Sequence, residues 1–161
     1  VFTVIDYSLV GWLFTLSDKI EILSPSGLKD LFEEKKELLK KAKVKLLLCD
    51  LDNTLRLHSE KEPADELAEW VKDCHKAGIK IVIISNNGRK KMMQKFCEPI
   101  GVDCVWWAKK PMGKKLTETM QKYHFKPSET VMLGDKWSTD VLAARFAKVR
   151  AWKVEHRRCV V

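Results

Sequence analysis

Four aspartates and one lysine in this 161-residue chain have the types and the order that phosphoryl transfer needs. Asp50 and Asp52 are separated by one leucine, directly after an apolar run, so both carboxylates can point into the same space. A carboxylate can attack phosphorus and form an aspartyl-phosphate, which splits hydrolysis into two easier steps. We therefore expect Asp50 to be a nucleophile. Asp52 is expected to protonate the leaving oxygen and then to deprotonate water.

A divalent cation is expected beside these carboxylates, because packing carboxylates together is unfavourable unless a cation neutralises them. Carboxylate oxygens are the hard ligands that Mg²⁺ prefers. The expected Mg²⁺ ligands are Asp50, Asp52, Asp135 and Asp140, the last binding directly or through water. Lys110 is expected to act in catalysis, by adding positive charge beside the transferring phosphate.

The residues expected to bind the phosphate are Thr54, Ser85 and Asn86. Ser85 and Asn86 precede a predicted helix start, where backbone N–H groups favour anions, and Thr54 is also expected to brace the first loop through its hydroxyl. Each feature alone has an ordinary explanation, since paired aspartates often cap turns and a single lysine is most often on the surface. The chemical interpretation is favoured because the four elements occur in order, each after a predicted strand.

The elements that must position these residues alternate between short apolar runs and amphipathic segments, which predict strands and helices respectively. The predicted strands are 44–49, 79–84, 103–107, 130–133 and 149–154. The predicted helices are 28–41, 63–77, 89–98, 113–123 and 138–147, with Pro63 in a first turn and Gly78 as a stop. This alternation predicts an α/β fold with a parallel sheet and right-handed crossovers. Ligands of such sheets bind beyond the carboxyl ends of the strands.

The length and the composition, 45% hydrophobic and 32% charged, are those of one globular domain. We expect residues 28–161 to form that domain and residues 1–27 to form an arm on or beside its core. The stretch 1–16 is apolar, but Asp6 interrupts it and it is too short to span a bilayer. Packing on the core is the favoured interpretation, and contact with a membrane surface or a partner is the alternative.

The formal charge of +8 fits nucleic acid, an anionic membrane or a phosphorylated substrate, and equally a solvated lysine-rich surface. The five cysteines form no CxxC pair and no zinc-type spacing, which indicates reduced thiols. The expected compartment is the cytoplasm or an organelle matrix, with peripheral attachment to a membrane as an option. A homo-oligomer is left open.

Four stretches resemble the motifs of the haloacid dehalogenase-like superfamily, in order: Asp50-Leu51-Asp52-Asn53-Thr54 (DxDxT), Ser85, Lys110 before Pro111, and Gly134-Asp135 with Asp140 (GDxxxxD). The resemblance covers residues 44–152. It implies a three-layer Rossmann-like fold and the catalytic and metal-binding roles given above. The second aspartate of the first motif points to phosphatases and phosphotransferases, and away from the dehalogenases that lack it.

The residues around these motifs are similar to the YqeG-type, subclass IIIA phosphatases, a family that includes phosphatidylglycerophosphate phosphatases of bacteria, plastids and mitochondria. The similar stretches are 51–55, 85–87, 108–111 and 139–142. One departure is Ala143-Ala144-Arg145-Phe146, where the family tends to have Gly-Gly-Asn-Arg. Because the four motifs are intact, the departure concerns details of substrate or partner more than activity.

The spacing of the motifs leaves no room for a cap domain, which in this superfamily encloses small substrates. Only about thirty residues separate Thr54 from Ser85, and about twenty-five separate Ser85 from Lys110. A helix and a strand use most of each interval. The expected site is therefore open and suits a phosphate carried on something bulky, such as a lipid headgroup or a protein.

The resemblance thus implies a phosphatase that converts phosphatidylglycerophosphate to phosphatidylglycerol at an anionic membrane surface. Trp12, Phe14, Trp106 and Trp107 could lie at that surface, although core or dimer contacts would also explain them. Trp106 and Trp107 are adjacent, so on a strand they face opposite sides and one is expected to be exposed. Two alternatives are a phosphatase of a soluble metabolite or phosphoprotein, and a non-catalytic RNA- or ribosome-binding module. For the latter no aromatic-basic signature is present.

Overall fold

The computed structural model describes residues 3–4, 21–23, 39–40 and 43–154. Within them, seven strands form one sheet in the order β1-β2-β7-β6-β3-β4-β5. The strands are β1 (Thr3–Val4), β2 (Glu21–Leu23), β3 (Leu46–Cys49), β4 (Lys80–Ile84), β5 (Asp103–Val105), β6 (Thr130–Gly134) and β7 (Arg150–Val154). The α-helices are α1 (Asp65–Lys76), α2 (Lys90–Cys97), α3 (Lys114–Lys122) and α4 (Leu142–Phe146). Shorter helical turns are 3₁₀ at Glu98–Ile100 and Pro127–Glu129, and π-helical at Trp137–Val141.

The sheet is parallel except at β1, which pairs antiparallel with β2. Strand β3 lies at the centre, where Leu47 is in register with Ile81 of β4 and Val131 of β6. Every residue of β3 is buried, as the apolar sequence predicts for a parallel strand covered on both faces.

Two apolar cores lie on the two faces of the sheet, because successive side chains of a strand alternate. Leu47 of β3 packs into the core that contains Trp70 of α1 and Phe96 of α2. Leu46 and Leu48 pack into the second core, which includes the buried apolar residues of α3 and α4. Helices on both faces of a parallel sheet give the predicted three-layer α/β fold, and this prediction is confirmed.

Most predicted elements occur with small changes at their ends. Helix α1 begins at Asp65, so Pro63 precedes the helix and does not lie in its first turn. Gly78 follows the end of α1 with a φ of +77°, a conformation that glycine adopts without strain. The helix predicted at 138–147 begins with the π-helical turn. Of the helix predicted at 28–41, only residues 39–40 are described, and they are helical.

The strand predicted at 103–107 ends at Val105, and this prediction was wrong for its last two residues. Trp107 has a φ of +52°, which is incompatible with an extended strand. Its N–H donates to the carbonyl of Asn87 at 3.0 Å, so the chain turns back across the end of β4. Trp106 packs against the core, whereas Trp107 is exposed, as expected for one of the two.

The intervals 55–84 and 86–109 are described throughout and hold only short elements of the domain itself. The first contains α1 and β4, and the second contains α2, a 3₁₀ turn and β5. Neither contains a cap domain, as predicted. The division into an arm at 1–27 and a domain at 28–161 stays a prediction. The backbone of β2 does extend the sheet beside β7.

Cys49, Cys74, Cys97 and Cys104 are free thiols, and Cys159 lies outside the described residues. Trp12 and Phe14 also lie outside them. None of the helices in the described part of the chain is long and apolar enough to cross a bilayer.

Candidate active site

The candidate site lies at the carboxyl ends of β3, β4 and β6, where the predicted motif residues follow the strands. The N–H of Asp50 donates to the carbonyl of Leu133 at 2.8 Å, so the β3–β6 pairing continues to the first residue beyond the strand. The N–H of Ser85 donates to Val105 at 2.9 Å in the same way at β4. The sheet therefore fixes the backbone at both positions.

Lys110 links these strand ends through its ammonium group. Its Nζ donates to Asp50 Oδ1 at 2.7 Å and to Asp140 Oδ1 at 2.6 Å. A third hydrogen bond, of 2.9 Å, goes to the carbonyl of Ile84 at the end of β4. The Lys110 side chain is only 2% exposed, so all three ammonium donors are satisfied in a site with little water.

Three carboxylates, those of Asp50, Asp135 and Asp140, lie together at the centre of the site. An oxygen of each lies within 4.8 Å of an oxygen of the others. The hydroxyl of Thr54 lies between two of them, 3.4 Å from Asp50 Oδ2 and 3.5 Å from Asp135 Oδ1. The Thr54 hydroxyl therefore contacts two carboxylates of the cluster, and its predicted role in bracing the first loop stays a prediction.

Gly134 makes room for one of these carboxylates. A Cβ added to Gly134 would overlap the side chain of Asp140, which lies directly against the glycine backbone. Asp140 Oδ2 also accepts a hydrogen bond from the N–H of Lys136 at 3.1 Å. The Gly-Asp pair at the end of β6 is thus explained by close packing, with the glycine admitting Asp140 beside Asp135.

Burial raises the pKa of Asp50 to about 6. The positive charge of Lys110 opposes this rise, whereas the negative charges of Asp140 and Asp135 add to it. For Lys110, burial alone would lower the pKa, but the carboxylates of Asp50 and Asp140 outweigh it and raise the pKa above its usual value. The raised pKa favours the protonated, positively charged form of Lys110 in this site.

The charge balance of the cluster favours a divalent cation. The three carboxylates carry three negative charges when ionised, and Lys110 returns one positive charge. Two negative charges remain in a largely buried space, where unneutralised charge is costly. A divalent ion bound by oxygen ligands would complete the neutralisation.

Asp52 does not join this cluster, because Arg56 binds its carboxylate. Arg56 Nε and Nη2 both approach Asp52 Oδ1 at 2.8 Å. The guanidinium is itself fixed, since it donates to the carbonyl of Glu60 at 2.9 Å and stacks 5.0 Å from the ring centre of Phe96. His58 Nδ1 lies 3.6 Å from the same Asp52 oxygen.

Arg56 is a residue of the site that the sequence analysis missed. The buried guanidinium comes from a tight turn, in which the N–H groups of Leu55 and Arg56 both donate to the carbonyl of Leu51. Asn53 has a φ of +63° within this turn. The only signal in the sequence is an arginine four residues after an aspartate, a spacing that brings side chains together where the chain coils back on itself.

Asn86 clamps the loop that carries Lys110. Its side-chain Nδ2 donates to the carbonyl of Lys110 at 2.9 Å, and its Oδ1 accepts from the N–H of Lys110 at 2.7 Å. This reciprocal pair resembles one rung of a sheet and joins positions that are 24 residues apart. Ser85 is buried, and its Oγ accepts the N–H of Asn87 at 3.1 Å.

The structure thus brings most of the predicted site residues together. Those that share hydrogen bonds or the carboxylate cluster are Asp50, Thr54, Lys110, Asp135 and Asp140. Asn86 joins them through the Lys110 backbone, and Ser85 follows β4 at the same edge of the sheet. The carboxylate of Asp52 is not part of the carboxylate cluster and pairs with Arg56.

Comparison with known proteins identifies the family of the chain. The family model for haloacid dehalogenase-like hydrolases matches residues 8–148. The Probable phosphatase YqeG of Bacillus subtilis is 36% identical over 114 residues, which cover 71% of this chain. The matched region spans 66% of the length of that relative, slightly less than two thirds.

Solved structures show the same fold at low identity. A hypothetical protein from Xanthomonas campestris superposes with a TM-score of 0.59 at 18% identity, covering 80% of this chain and 73% of that one. The cobalt-bound deoxy-D-mannose-octulosonate 8-phosphate phosphatase of Haemophilus influenzae gives a TM-score of 0.58 at 17% identity, with coverages of 71% and 70%. These identities bear on the fold alone. Since the family model matches most of its length, the chain belongs to the haloacid dehalogenase-like hydrolases.

Proposed function

We propose that this chain is a divalent-metal-dependent phosphatase that works through an aspartyl-phosphate on Asp50. The observation that carries the proposal is the 2.7 Å contact between Asp50 and the buried Lys110 within a cluster of three carboxylates. A carboxylate nucleophile must be ionised and held in place, and a buried cation with a metal site supplies both conditions. Family membership and the similarity to a probable phosphatase support the same enzyme class.

In the proposed first step, an oxygen of Asp50 forms a bond to phosphorus while the bond from phosphorus to the leaving oxygen breaks. Asp52 gives its proton to that oxygen. In the second step, Asp52 takes a proton from a water that attacks phosphorus, and the bond between phosphorus and Asp50 breaks. Arg56 contacts Asp52 at Oδ1, and we propose that Oδ2 makes these transfers.

We expect Asp52→Asn to lower turnover by about 10²- to 10⁴-fold, because the amide can neither protonate the leaving group nor deprotonate water. An aryl phosphate has a leaving group that needs no proton, so with this substrate the second step should suffer most. Rapid-quench kinetics should then show a burst of released phenol followed by slow phosphate release. Asp73→Asn makes the same chemical change on α1, away from the site, and should retain normal rates. Normal turnover in Asp52→Asn would contradict the proton-transfer role.

The residues present fit a hard divalent cation, and we assign Asp50, Asp135 and Asp140 as the side chains that hold it. Mg²⁺ is the proposed ion because it prefers a few carboxylate oxygens and retains waters. When bound, it supplies positive charge to the oxygens of the phosphate. Asp52 was also predicted as a ligand. Its contact with Arg56 favours the proton-transfer role in our proposal.

Metal removal provides a direct test of this assignment. Dialysis against EDTA should abolish turnover, and Mg²⁺ should restore it. Mg²⁺ should also raise the midpoint of thermal unfolding, because an ion that binds only the folded state stabilises that state. The rise should be much smaller in Asp140→Asn. Turnover that continues after dialysis against EDTA would contradict the metal assignment. A midpoint of thermal unfolding that does not change with Mg²⁺ would contradict it as well.

Three residues were predicted to bind the phosphate: Thr54, Ser85 and Asn86. Their contacts favour a different role for each of them. Asn86 uses its side-chain oxygen and nitrogen on the Lys110 backbone, so we propose it as a positioning residue for Lys110. Thr54 contacts the carboxylates and braces them. Ser85 keeps its proposed role as a phosphate ligand, since its Oγ accepts one hydrogen bond from Asn87 and still carries a proton to donate.

The proposed substrate is phosphatidylglycerophosphate, with a soluble phosphometabolite or phosphoprotein as the alternative. The support is the open site, since neither interval between the motifs contains a cap. An uncapped site can accept a phosphate that projects from a membrane. The test is phosphate release from vesicles that contain phosphatidylglycerophosphate, run beside a panel of soluble phosphate esters with Mg²⁺. Preferential release from the lipid would support the proposal. Release from one soluble ester but not from the lipid would overturn it and favour the alternative.

A further inference from the structure

Three large hydrophobic side chains are exposed in the described part of the chain, and all three lie around the loop that carries Lys110. Trp107 is 59% exposed, Met112 is 59% exposed and Phe146 is 63% exposed. Trp107 and Met112 line one shallow groove of about 400 Å³. Phe146 lies near the end of this loop, because a Cβ added to Gly113, directly after Met112, would lie 3.0 Å from the Cβ of Phe146. Three such side chains together form a patch of the kind that marks an interaction surface.

The charged residues of this patch are mainly lysines. Lys109, Lys114 and Lys115 line the same groove as Trp107. Glu118 forms a close pair with Lys115 at 2.7 Å and a loose one with Lys114 at 3.9 Å. Lys109 makes no ion pair with a described residue, so the groove keeps an excess of positive charge. We call the surface formed by Trp107, Lys109, Met112, Lys114 and Phe146 the Trp107 face.

The backbone of the loop turns the residues of this face outward. Trp107 and Lys109 have φ angles of +52° and +54°, a left-handed conformation that is unfavourable for bulky side chains. Between and after them, Ala108 and Lys110 are buried. Buried and exposed residues therefore alternate along 107–110, which places Lys110 in the site and leaves Trp107 and Lys109 in solvent. Trp107 lies against Gly88, where a Cβ would overlap its ring.

We propose that the Trp107 face docks on an anionic lipid bilayer and thereby presents the active site to phosphate groups at the membrane surface. The proposal rests on the proposed function, because only a lipid substrate requires the enzyme to reach a bilayer. Tryptophan favours the headgroup region, where its apolar ring and its N–H are both satisfied. Lysines beside it are attracted to anionic headgroups. The combination of exposed apolar side chains and an excess of lysines matches that surface better than an uncharged one.

The loop supplies the geometric link between docking and catalysis. Trp107 and Met112 lie three residues before and two residues after Lys110. Lys110 contacts Asp50 directly, and Asn86 fixes the loop backbone between the two exposed side chains. A bilayer that contacts both side chains therefore contacts the loop that carries Lys110 into the carboxylate cluster.

The experiment measures cosedimentation of the whole chain with vesicles of phosphatidylcholine, with and without added phosphatidylglycerol. Phosphatidylglycerol is anionic but has no phosphate monoester, so binding is measured without turnover. The wild type should bind the anionic vesicles and not the neutral ones. Trp107→Ser combined with Phe146→Ser should weaken that binding by about tenfold or more. Hydrolysis of a soluble aryl phosphate should stay within about twofold of the wild type, since the backbone hydrogen bond from Trp107 to Asn87 is kept and neither side chain makes a hydrogen bond or ion pair with the described residues of the carboxylate cluster.

A charge-matched pair of variants tests the contribution of the lysines. Lys109→Glu changes the charge of the Trp107 face, whereas Lys72→Glu makes the same change on α1, which packs on the opposite side of the sheet. Lys109→Glu should weaken binding to anionic vesicles severalfold more than Lys72→Glu does. Equal effects of the two variants would show that only net charge matters and would overturn the proposed face.

Other outcomes also decide the proposal. The proposal fails if the wild type does not bind anionic vesicles. It also fails if the variant with both Trp107→Ser and Phe146→Ser binds them as tightly as the wild type. Sedimentation velocity tests a second copy of the chain as the occupant. If the double variant loses self-association but keeps vesicle binding, the face is a subunit interface instead. Docking without lipid hydrolysis would overturn only the proposed substrate, whereas lipid hydrolysis that the double variant retains in full would overturn only the docking.

Discussion

Replacing Asp50 with asparagine should reduce turnover of any phosphate ester by about 10⁴-fold or more, because a neutral amide cannot attack phosphorus or hold the metal. The fold should survive, since the Asp50 N–H still pairs with Leu133 and the amide has nearly the shape of the carboxylate. Lys110 keeps its contact with Asp140 in the variant. Steady-state kinetics measure the loss of turnover, and circular dichroism measures the retained fold.

The matched control for Asp50→Asn is Asp73→Asn. Asp73 lies on α1 and has a partly exposed side chain with a distant ion pair to Lys76 at 4.0 Å. This change should leave turnover within about twofold and the free energy of unfolding within about 0.5 kcal/mol of the wild type. A folded Asp50→Asn protein with turnover close to that of Asp73→Asn would exclude Asp50 as the nucleophile.

Replacing Lys110 with methionine should have the second-largest effect, and this effect should appear in stability as well as in activity. The change leaves Asp50, Asp135 and Asp140 without their buried cation. Removing one partner of a buried ion pair costs about 3–5 kcal/mol of unfolding free energy. Turnover should fall by about 10²- to 10³-fold, because a positioned positive charge beside the reacting phosphate is lost.

Metal dependence separates the two parts of this effect. Urea unfolding in EDTA should show the full loss of stability in Lys110→Met, and saturating Mg²⁺ should recover part of it by neutralising the same carboxylates. Turnover should stay low with Mg²⁺ present. Lys109→Met is the control, since Lys109 is exposed and adjacent in sequence. If Lys110→Met is as stable and as active as Lys109→Met, the proposed role of Lys110 is wrong.

The central part of the fold and of the site could be predicted from the sequence, because the end of each buried strand is marked by a change from apolar to polar residues. Apolar runs such as Leu46–Cys49 can be buried on both faces only in a parallel sheet, and polar residues directly after them must meet at one edge. That argument alone places Asp50, Ser85 and Asp135 near one another. The same argument placed Lys110 there after a strand predicted at 103–107, but that strand ends at Val105 and a loop brings Lys110 to the site.

The rest depends on tertiary contacts that have no periodic signal. The clamp of Asn86 on Lys110 joins two loops across the end of β4, and nothing near either residue in the sequence indicates it. The pair of Asp52 and Arg56 depends on a tight turn that contains a left-handed asparagine. The position of Trp107 also depends on a tertiary contact. A strand was predicted there, but the backbone turns back and the N–H of Trp107 donates to the carbonyl of Asn87. Such loops follow from their hydrogen bonds and not from local propensity.

The most direct test of the account is to trap the phosphorylated enzyme. Asp52→Asn would be mixed with an aryl phosphate and Mg²⁺, quenched in acid within one turnover, and reduced with borohydride, which converts an aspartyl-phosphate to homoserine. Peptide mass spectrometry would then locate the modified residue. The account predicts homoserine at position 50 and none in Asp50→Asn treated in the same way. Rapid turnover with no modified aspartate, or modification at Asp135 or Asp140 instead, would contradict it.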